Sequence, residues 1–325
     1  MMQIRPIRSD ELDAFCAIGT SDRPRADAVR AYLDGLFANG NSHLDWCYVP
    51  TDDAAADGFT CRVAFWKIPG RTRPDDFILL ELPWTDQKVP GIAARFLAAV
   101  AAEARRLGAE TRRLGAETLG HALDHPVQAP QWQELPDIRD ACLHAAGFTV
   151  ARDTTRFEWR PERIPEEDGA ARLVFRGWEE LGEAPFVAAT RAVTEGTLDQ
   201  RLGEERDEAG PDAHAREFVA EMEELGRLPG WWQLGYDAAG ELVGLVMLSG
   251  RLDWATIGYI GVVPARRGQG FINDLLVKGD AVLRETGIAR GIADTDRANR
   301  PMDTALCRHG WREFATRREY MRKLI

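Results

Sequence analysis

The fold is decided by the stretch Val262-Val263-Pro264-Ala265-Arg266-Arg267-Gly268-Gln269-Gly270. It continues an apolar run that begins at residue 254 and predicts a buried strand, which Pro264 ends because proline donates no ladder hydrogen bond. After it, apolar side chains recur at helical spacing from Phe271 to Leu283. The stretch is therefore a glycine-rich loop between a strand and a helix.

Such a loop is suited to binding an anion. Gly268 and Gly270 carry no Cβ, so the backbone can turn tightly and bring several N–H groups together. The helix beginning at Phe271 adds its free N–H groups and the positive end of its dipole. These donors match phosphate oxygens, although two glycines would also shape an ordinary strand-to-helix turn.

Composition excludes several classes of partner. The 325-residue chain has a net charge of −11, which argues against a nucleic-acid or anionic-membrane partner. Its five cysteines are widely spaced and the pair His121 and His125 has no evident third ligand, so no metal is expected. Without a signal-peptide pattern or a membrane-length apolar run, the predicted location is the cytoplasm.

The order of predicted elements occurs twice. In the first half, an initial strand is followed by two helices, three extended runs ending near residue 84, a helix at 91–106 and a helix at 137–146. The same order restarts at residue 171. Four residues of the first half have counterparts at constant offset in the second: Leu143, Gly147, Phe148 and Phe157 match Leu306, Gly310, Trp311 and Tyr320.

We therefore predict an α+β fold with two domains, each a mostly antiparallel twisted sheet flanked by helices. The predicted boundaries are a first domain at 1–160, a linker at 161–170 that is rich in proline and acidic residues, and a second domain at 171–325.

Residues 171–325 resemble a GNAT-type N-acetyltransferase. Arg267-x-x-Gly270 matches the pyrophosphate signature of that family, and Asn299 followed by Gly310-Trp311 matches its later helix and closing strand. Ile272 departs from the pattern, which has glycine or alanine there. The resemblance implies acetyl-coenzyme A as cosubstrate, and it implies these binding residues: Val262, Val263, Arg267, Gly268, Gln269, Gly270, Phe271, Ile272 and Asn299.

In the resembled family, the pantetheine arm pairs with the strand edge near Val262 and Val263, where neighbouring strands separate. Asn299 has a second interpretation, as the N-cap of a helix with Pro301 in its first turn. The first half lacks closely spaced glycines at 84–91. It is therefore expected to be a degenerate, non-catalytic copy that binds no coenzyme A.

The expected catalytic groups are incomplete. The family's tyrosine, which protonates the departing thiolate, corresponds to Leu306, and its acidic base has no counterpart at 257–261, where Tyr259 is the candidate. Asp294 and Asp296 could accept a proton through water or hold a cationic substrate. Their alternative role is that of solvated turn carboxylates.

The acceptor is expected to be a small cationic amine that attacks the thioester directly. Residues 195–226 contain 11 acidic and three basic side chains, which favours a cation, although a solvated helix face would look the same. The leading hypothesis is an acetyl-coenzyme A-dependent N-acetyltransferase. The alternatives are a catalytically silent tandem binding protein and a transferase of longer acyl groups, and a homodimer stays open.

Overall fold

The computed structural model describes residues 2–51, 59–68, 71–108, 118–163, 172–251 and 254–324. The chain forms two compact units: the first comprises Met1–Ala151 with Arg317–Ile325, and the second comprises Arg152–Thr316. Of the predicted linker, Pro161–Arg163 form a short 3-10 turn, and 164–170 lie outside the described residues.

Helices and strands alternate in nearly the predicted order. The elements up to residue 159 are β1 (Ile4–Pro6), α1 (Leu12–Ala17), α2 (Arg23–Ala38), β2 (Cys47–Pro50), β3 (Arg62–Trp66), β4 (Asp76–Glu81), α3 (Val89–Arg106), β5 (Thr118–His125), α4 (Pro136–Ala145) and β6 (Thr149–Trp159). Those that follow are β7 (Val174–Gly177), α5 (Trp178–Leu181), α6 (Glu183–Val193), α7 (Gln200–Ala209), α8 (Pro211–Glu224), β8 (Trp232–Tyr236), β9 (Leu242–Arg251), β10 (Trp254–Val262), α9 (Phe271–Glu285), β11 (Gly291–Asp296), α10 (Arg300–Arg308) and β12 (Arg312–Lys323).

The sheet of the first unit follows the strand order β1-β2-β3-β4-β5, with the end of β12 beside β5. Its first three pairings are antiparallel and β4 runs parallel to β5, because α3 carries the chain across between them. The helix packs one apolar face on the sheet: Ala93, Phe96, Leu97 and Val100 recur at helical spacing and are fully buried.

The second unit repeats this plan with the strand order β6-β11-β10-β9-β8-β7. All of its pairings are antiparallel except β10 with β11, which α9 connects. Both units therefore confirm the predicted mixed α+β architecture. Because β6 pairs with β11 from Thr154 to Trp159, that strand belongs to the second unit.

One strand pair in the second unit separates midway along its length. The pairing of β10 with β11 ends at Ile257 and Ala293, whereas its pairing with β9 continues to Val262. The register of β10 shifts between Ile257 and Tyr259, which marks a β-bulge at the point where the strands part. An opening therefore lies beside the last residues of β10, as the sequence predicted.

Among the helices that the structure describes, none is both long enough and apolar enough to span a lipid bilayer.

Candidate functional site

A cavity of about 460 Å³ lies in the second unit at the opening beside β10. Four segments form its wall, namely the turn after α6, the end of β10, the glycine-rich loop with the start of α9, and α10. Its lining residues include Thr197, Tyr259, Ile260, Val262, Arg267, Gly268, Gly270, Phe271, Ile272, Asn273, Asn299 and Arg308.

The glycine-rich loop presents backbone donors to this cavity. Gly268 and Gly270 have φ angles of +73° and +78°, a conformation that side chains with a Cβ rarely adopt. Gly270 is also the N-cap of α9. Within the described part of the chain, the backbone N–H groups of residues 268–272 have no protein acceptor. Loop and helix start together form a nest for an anion.

The Arg267 side chain holds the loop in place. Its guanidinium donates to the carbonyl oxygens of Val193 at 2.9 Å, Glu195 at 2.7 Å and Gly196 at 2.9 Å, and to that of Val262 at 3.0 Å. Only arginine offers five donors in a rigid fork that can join four carbonyl groups. Arg267, which the sequence assigns to cofactor binding, thus ties the end of α6 to the end of β10.

Two further loop residues have structural contacts. The Gln269 side chain donates to the Ala265 carbonyl at 3.1 Å, and the backbone carbonyl of Gln269 accepts from Arg172 at 3.2 Å. Arg172 also pairs with Asp274 and lies 4.5 Å above the ring of Phe271. Phe271 and Ile272 line the cavity, whereas Gln269 does not.

The end of β10 presents an open strand edge. The N–H of Val263 donates to Val243 of the β9 side at 2.9 Å, so it is occupied. Because the polar groups of successive strand residues point to opposite sides, those of Val262 and Ile260 point away from β9 towards the cavity. Ile260, rather than Val263, therefore offers the free edge beside Val262.

Asn299 is an N-cap, as one of its two interpretations predicted, and its contact with the pantetheine arm stays a prediction. Its side chain accepts a hydrogen bond from the Met302 N–H at 3.3 Å, which makes it the N-cap of α10. It also lines the cavity, together with Asn273, whose amide donates to the Gly270 carbonyl at 3.1 Å.

Tyr259 lies just beyond the bulge of β10 and lines the cavity. Its ring packs edge-on against Phe218 of α8, with 5.4 Å between ring centroids, and Thr197 lies on the same cavity wall. Burial raises the pKa of Tyr259 to about 12. The phenol therefore keeps its proton near neutral pH, and this side chain is suited to donate a proton rather than to accept one.

Asp294 and Asp296 lie outside the cavity wall. Asp294 accepts a hydrogen bond from Arg156 at 2.9 Å. Asp296 is buried, and its two oxygens accept from Arg152 at 2.9 Å and from the Gln200 N–H at 2.7 Å. The Asp294 carboxylate thus links β11 to β6, and the Asp296 carboxylate links β11 to β6 and to the start of α7.

Leu306, at the position of the family's acid, is fully buried in the hydrophobic core. Among the described residues that line the cavity, no side chain is a carboxylate or a histidine. The described residues also contain no cluster of three or more histidine, cysteine, aspartate or glutamate side chains that could hold a metal ion. Among the described residues that line the cavity, Tyr259 thus carries the hydroxyl group with the lowest pKa.

Sequence patterns alone did not identify Thr197, Asn273 or Arg308. Thr197 follows α6 and reaches the cavity only because Arg267 holds that turn against the loop. Arg308 ends α10 and is exposed at the cavity wall, where its guanidinium has no ion pair or hydrogen bond with any described residue. Of these three, only Asn273 could have been found from the sequence, because it lies three residues after Gly270, in the first turn of the helix that follows the loop.

The two arginines of the wall give contrasting predictions. We expect Arg267→Ala to lower the free energy of unfolding by about 2 kcal/mol, because several charge-assisted hydrogen bonds are lost together. We expect Arg308→Ala to leave unfolding unchanged and to weaken binding of a phosphate-bearing ligand by about tenfold, with an effect that salt suppresses. Urea denaturation and calorimetric titration distinguish them, and equal destabilisation by both changes would contradict the assignment of Arg267.

Comparison with known proteins gives a family match for one segment of the chain. Residues 198–311 match the model of the Acetyltransferase (GNAT) family. No curated protein shows significant sequence similarity to the chain. The segment that carries the cavity therefore has the sequence signature of the GNAT acetyltransferases.

Solved structures match over the whole chain. A GCN5-related N-acetyltransferase from Sphaerobacter thermophilus is 15% identical with a TM-score of 0.59, covering 99% of this chain and 96% of its own. A tandem GNAT protein from the clavulanic acid biosynthesis pathway is 16% identical with a TM-score of 0.50, covering 100% and 99%. A glucosamine N-acetyltransferase region of a fungal multi-domain β-N-acetylglucosaminidase is 14% identical with a TM-score of 0.56, covering 98% and 38%. The chain has the tandem GNAT acetyltransferase fold.

Proposed function

We propose that the protein is an acetyl-coenzyme A-dependent N-acetyltransferase that acts on a small cationic amine, with the reaction confined to the second unit. The observation that carries the proposal is the run of backbone N–H groups at residues 268–272 that have no acceptor among the described residues. The run lies at the start of α9, and four of its five residues, Gly268, Gly270, Phe271 and Ile272, line the cavity. A pyrophosphate is one of the anions that glycine-rich loops followed by a helix start bind.

The cavity wall fits coenzyme A along its length. The nest of residues 268–272 would hold the pyrophosphate, and Arg308 would add a cation at its edge. The backbone groups of Ile260 and the N–H of Val262 would pair with the amides of the pantetheine arm like an added strand, while the Val262 carbonyl accepts from Arg267. Ile272 stands where the family has a smaller residue, so its side chain narrows the wall beside the loop.

Acetyl-coenzyme A would supply the activated acyl group, as a thioester placed where β10 and β11 separate. As the amine nitrogen bonds to the acyl carbon, the carbon–sulfur bond breaks and a thiolate leaves. The Tyr259 phenol starts each cycle protonated, since burial raises its pKa to about 12, and it can donate that proton to the thiolate. The proton that the nitrogen loses as the amide forms would return to the phenolate, directly or through water, so that the step balances. Tyr259 would thus replace the acid that Leu306 cannot provide.

The acceptor amine must reach the site without its extra proton. Among the described residues, the cavity wall offers no carboxylate or imidazole to remove it, so we infer that water takes this proton. The acidic helices α7 and α8 adjoin the turn that carries Thr197, which favours approach of a cation.

The protonation states of the amine and of Tyr259 predict how kcat/KM depends on pH. We expect kcat/KM to rise about tenfold per pH unit until the pKa of the free amine is reached, since only the neutral amine attacks. Tyr259 remains protonated throughout this range because its pKa is about 12, so it adds no falling limb below pH 10. A rate profile from pH 6 to 10 checks this, and a plateau beginning near pH 7 would reveal an enzyme base instead.

The function is tested by offering a library of amines with acetyl-coenzyme A and measuring release of the coenzyme A thiol, followed by mass determination of the product. We expect a mass gain of one acetyl group on a primary amine that carries a positive charge. Comparing acetyl with longer acyl donors on the same amine decides the acyl preference. Tight binding of acetyl-coenzyme A without turnover for any amine would favour a silent binding protein.

A further inference from the structure

The first unit contains the same strand separation as the second. The strands β4 and β5 run parallel, with α3 between them in sequence, and they pair at Asp76 and Gly120. The register of β4 against β3 also shifts: Ala64 pairs with Ile78, whereas Arg62 pairs with Glu81, which marks a β-bulge in β4 between Ile78 and Glu81. Beyond Asp76 the edges of β4 and β5 are therefore apart, as those of β10 and β11 are beyond Ile257.

Two glutamine side chains fill this opening. The Gln131 carbonyl oxygen accepts the N–H of Leu79 on β4 at 3.1 Å. On β5, the Gln133 carbonyl oxygen accepts the N–H of Asp124 at 3.1 Å, and its amide nitrogen donates to the carbonyl of Ala122 at 2.6 Å. Gln133 is buried, so these side chains take the place of strand partners.

Other side chains complete the filling. His121 is buried, stacks on the ring of Phe77 at 4.3 Å between centroids, and contacts the Phe77 carbonyl through Nδ1 at 2.8 Å. Burial lowers the pKa of His121 to about 4, so the ring is neutral and Nδ1 carries the proton that it donates. The buried Arg139 donates to the Leu80 carbonyl at 2.8 Å. Backbone groups on both edges are thus paired.

A carboxamide presents the same carbonyl acceptor and N–H donor as the secondary amides of a pantetheine arm. We propose that Gln131 and Gln133 form a built-in substitute for that arm, which closes the cleft of the first unit and limits the chain to one molecule of coenzyme A. The proposal rests on the proposed function for the second unit. The start of α3 agrees, because Pro90 removes one N–H from the helix end that would have to meet phosphate.

The filled cleft can be tested by amide hydrogen exchange on the full-length protein. We expect Gln131→Ala to increase exchange at the Leu79 amide by at least about tenfold, and Gln133→Ala to do so at the Asp124 amide, since each loses its acceptor. Gln128→Ala is the matched control, because Gln128 is in the same segment and donates only to the adjacent Pro126 carbonyl. It should leave both amides protected.

Calorimetric titration of the wild type with coenzyme A gives the second readout, and one equivalent is expected. Two equivalents, or rapid exchange of Leu79 and Asp124 in the wild type, would overturn the closed cleft. If no coenzyme A binds at all, the proposed function fails, while the exchange rates of the variants still decide whether the glutamines fill the cleft.

Discussion

Gly270→Asp is expected to weaken binding of acetyl-coenzyme A by at least about a hundredfold, which corresponds to about 2.7 kcal/mol. Residue 270 has a φ of +78°, and its N–H belongs to the row that faces the cavity. A carboxylate there would accept hydrogen bonds from these N–H groups and would repel the pyrophosphate. Calorimetric titration of the variant measures the loss.

Gly287→Asp is the matched control for this substitution. Gly287 has a φ of +72° and follows the other end of α9, with open space where a Cβ would project. The strain of the left-handed conformation and the added charge are therefore similar in the two variants. Gly287→Asp should bind acetyl-coenzyme A as the wild type does. Equal loss in both variants would mean that helix destabilisation, and not the loop, explains the effect.

Tyr259→Phe is expected to lower kcat by about a hundredfold or more while the dissociation constant of acetyl-coenzyme A stays within about twofold. The ring keeps its contact with Phe218, and only the hydroxyl is removed. Steady-state kinetics with the best amine and calorimetry of the same preparation separate the two quantities.

The effect should depend on the leaving group if Tyr259 protonates the thiolate. An acyl donor whose thiol has a lower pKa needs less help, so the variant should recover part of its rate with such a donor. Tyr236→Phe, another partly buried tyrosine of the second unit that is outside the cavity wall, should leave kcat unchanged. An unchanged kcat for Tyr259→Phe would exclude it as the acid.

Local sequence signals predicted the parts of the site that depend on neighbouring residues. Gly268, Gly270 and the apolar repeat from Phe271 specify a tight loop and a helix within one short stretch, and the structure places both on the cavity wall. The paired glycines Gly147 and Gly310, with φ angles of +83° and +80°, likewise end equivalent helices, as the internal repeat predicted.

Contacts between distant segments could not be predicted in this way. Asp294 and Asp296 looked available because their partners Arg156 and Arg152 are more than a hundred residues earlier, on a strand whose pairing with β11 has no local signature. Arg267 matched a binding motif, but its carbonyl partners include Val193 at the end of α6 and Gly196 in the turn that follows. The role of Val263 depended on which strand residues point their N–H and carbonyl groups towards the cavity. The bulge in β10 shifts this alternation by one residue, so it could not be read from the sequence.

The central claim, that the second unit binds acetyl-coenzyme A through its glycine-rich loop, is tested most directly by calorimetric titration of the wild-type protein. We predict one equivalent bound with a dissociation constant in the micromolar range, on the order of 1–100 μM. We predict no binding of pantetheine, which has no phosphate, at the same concentrations. Absence of any binding heat at about 1 mM acetyl-coenzyme A would contradict the account.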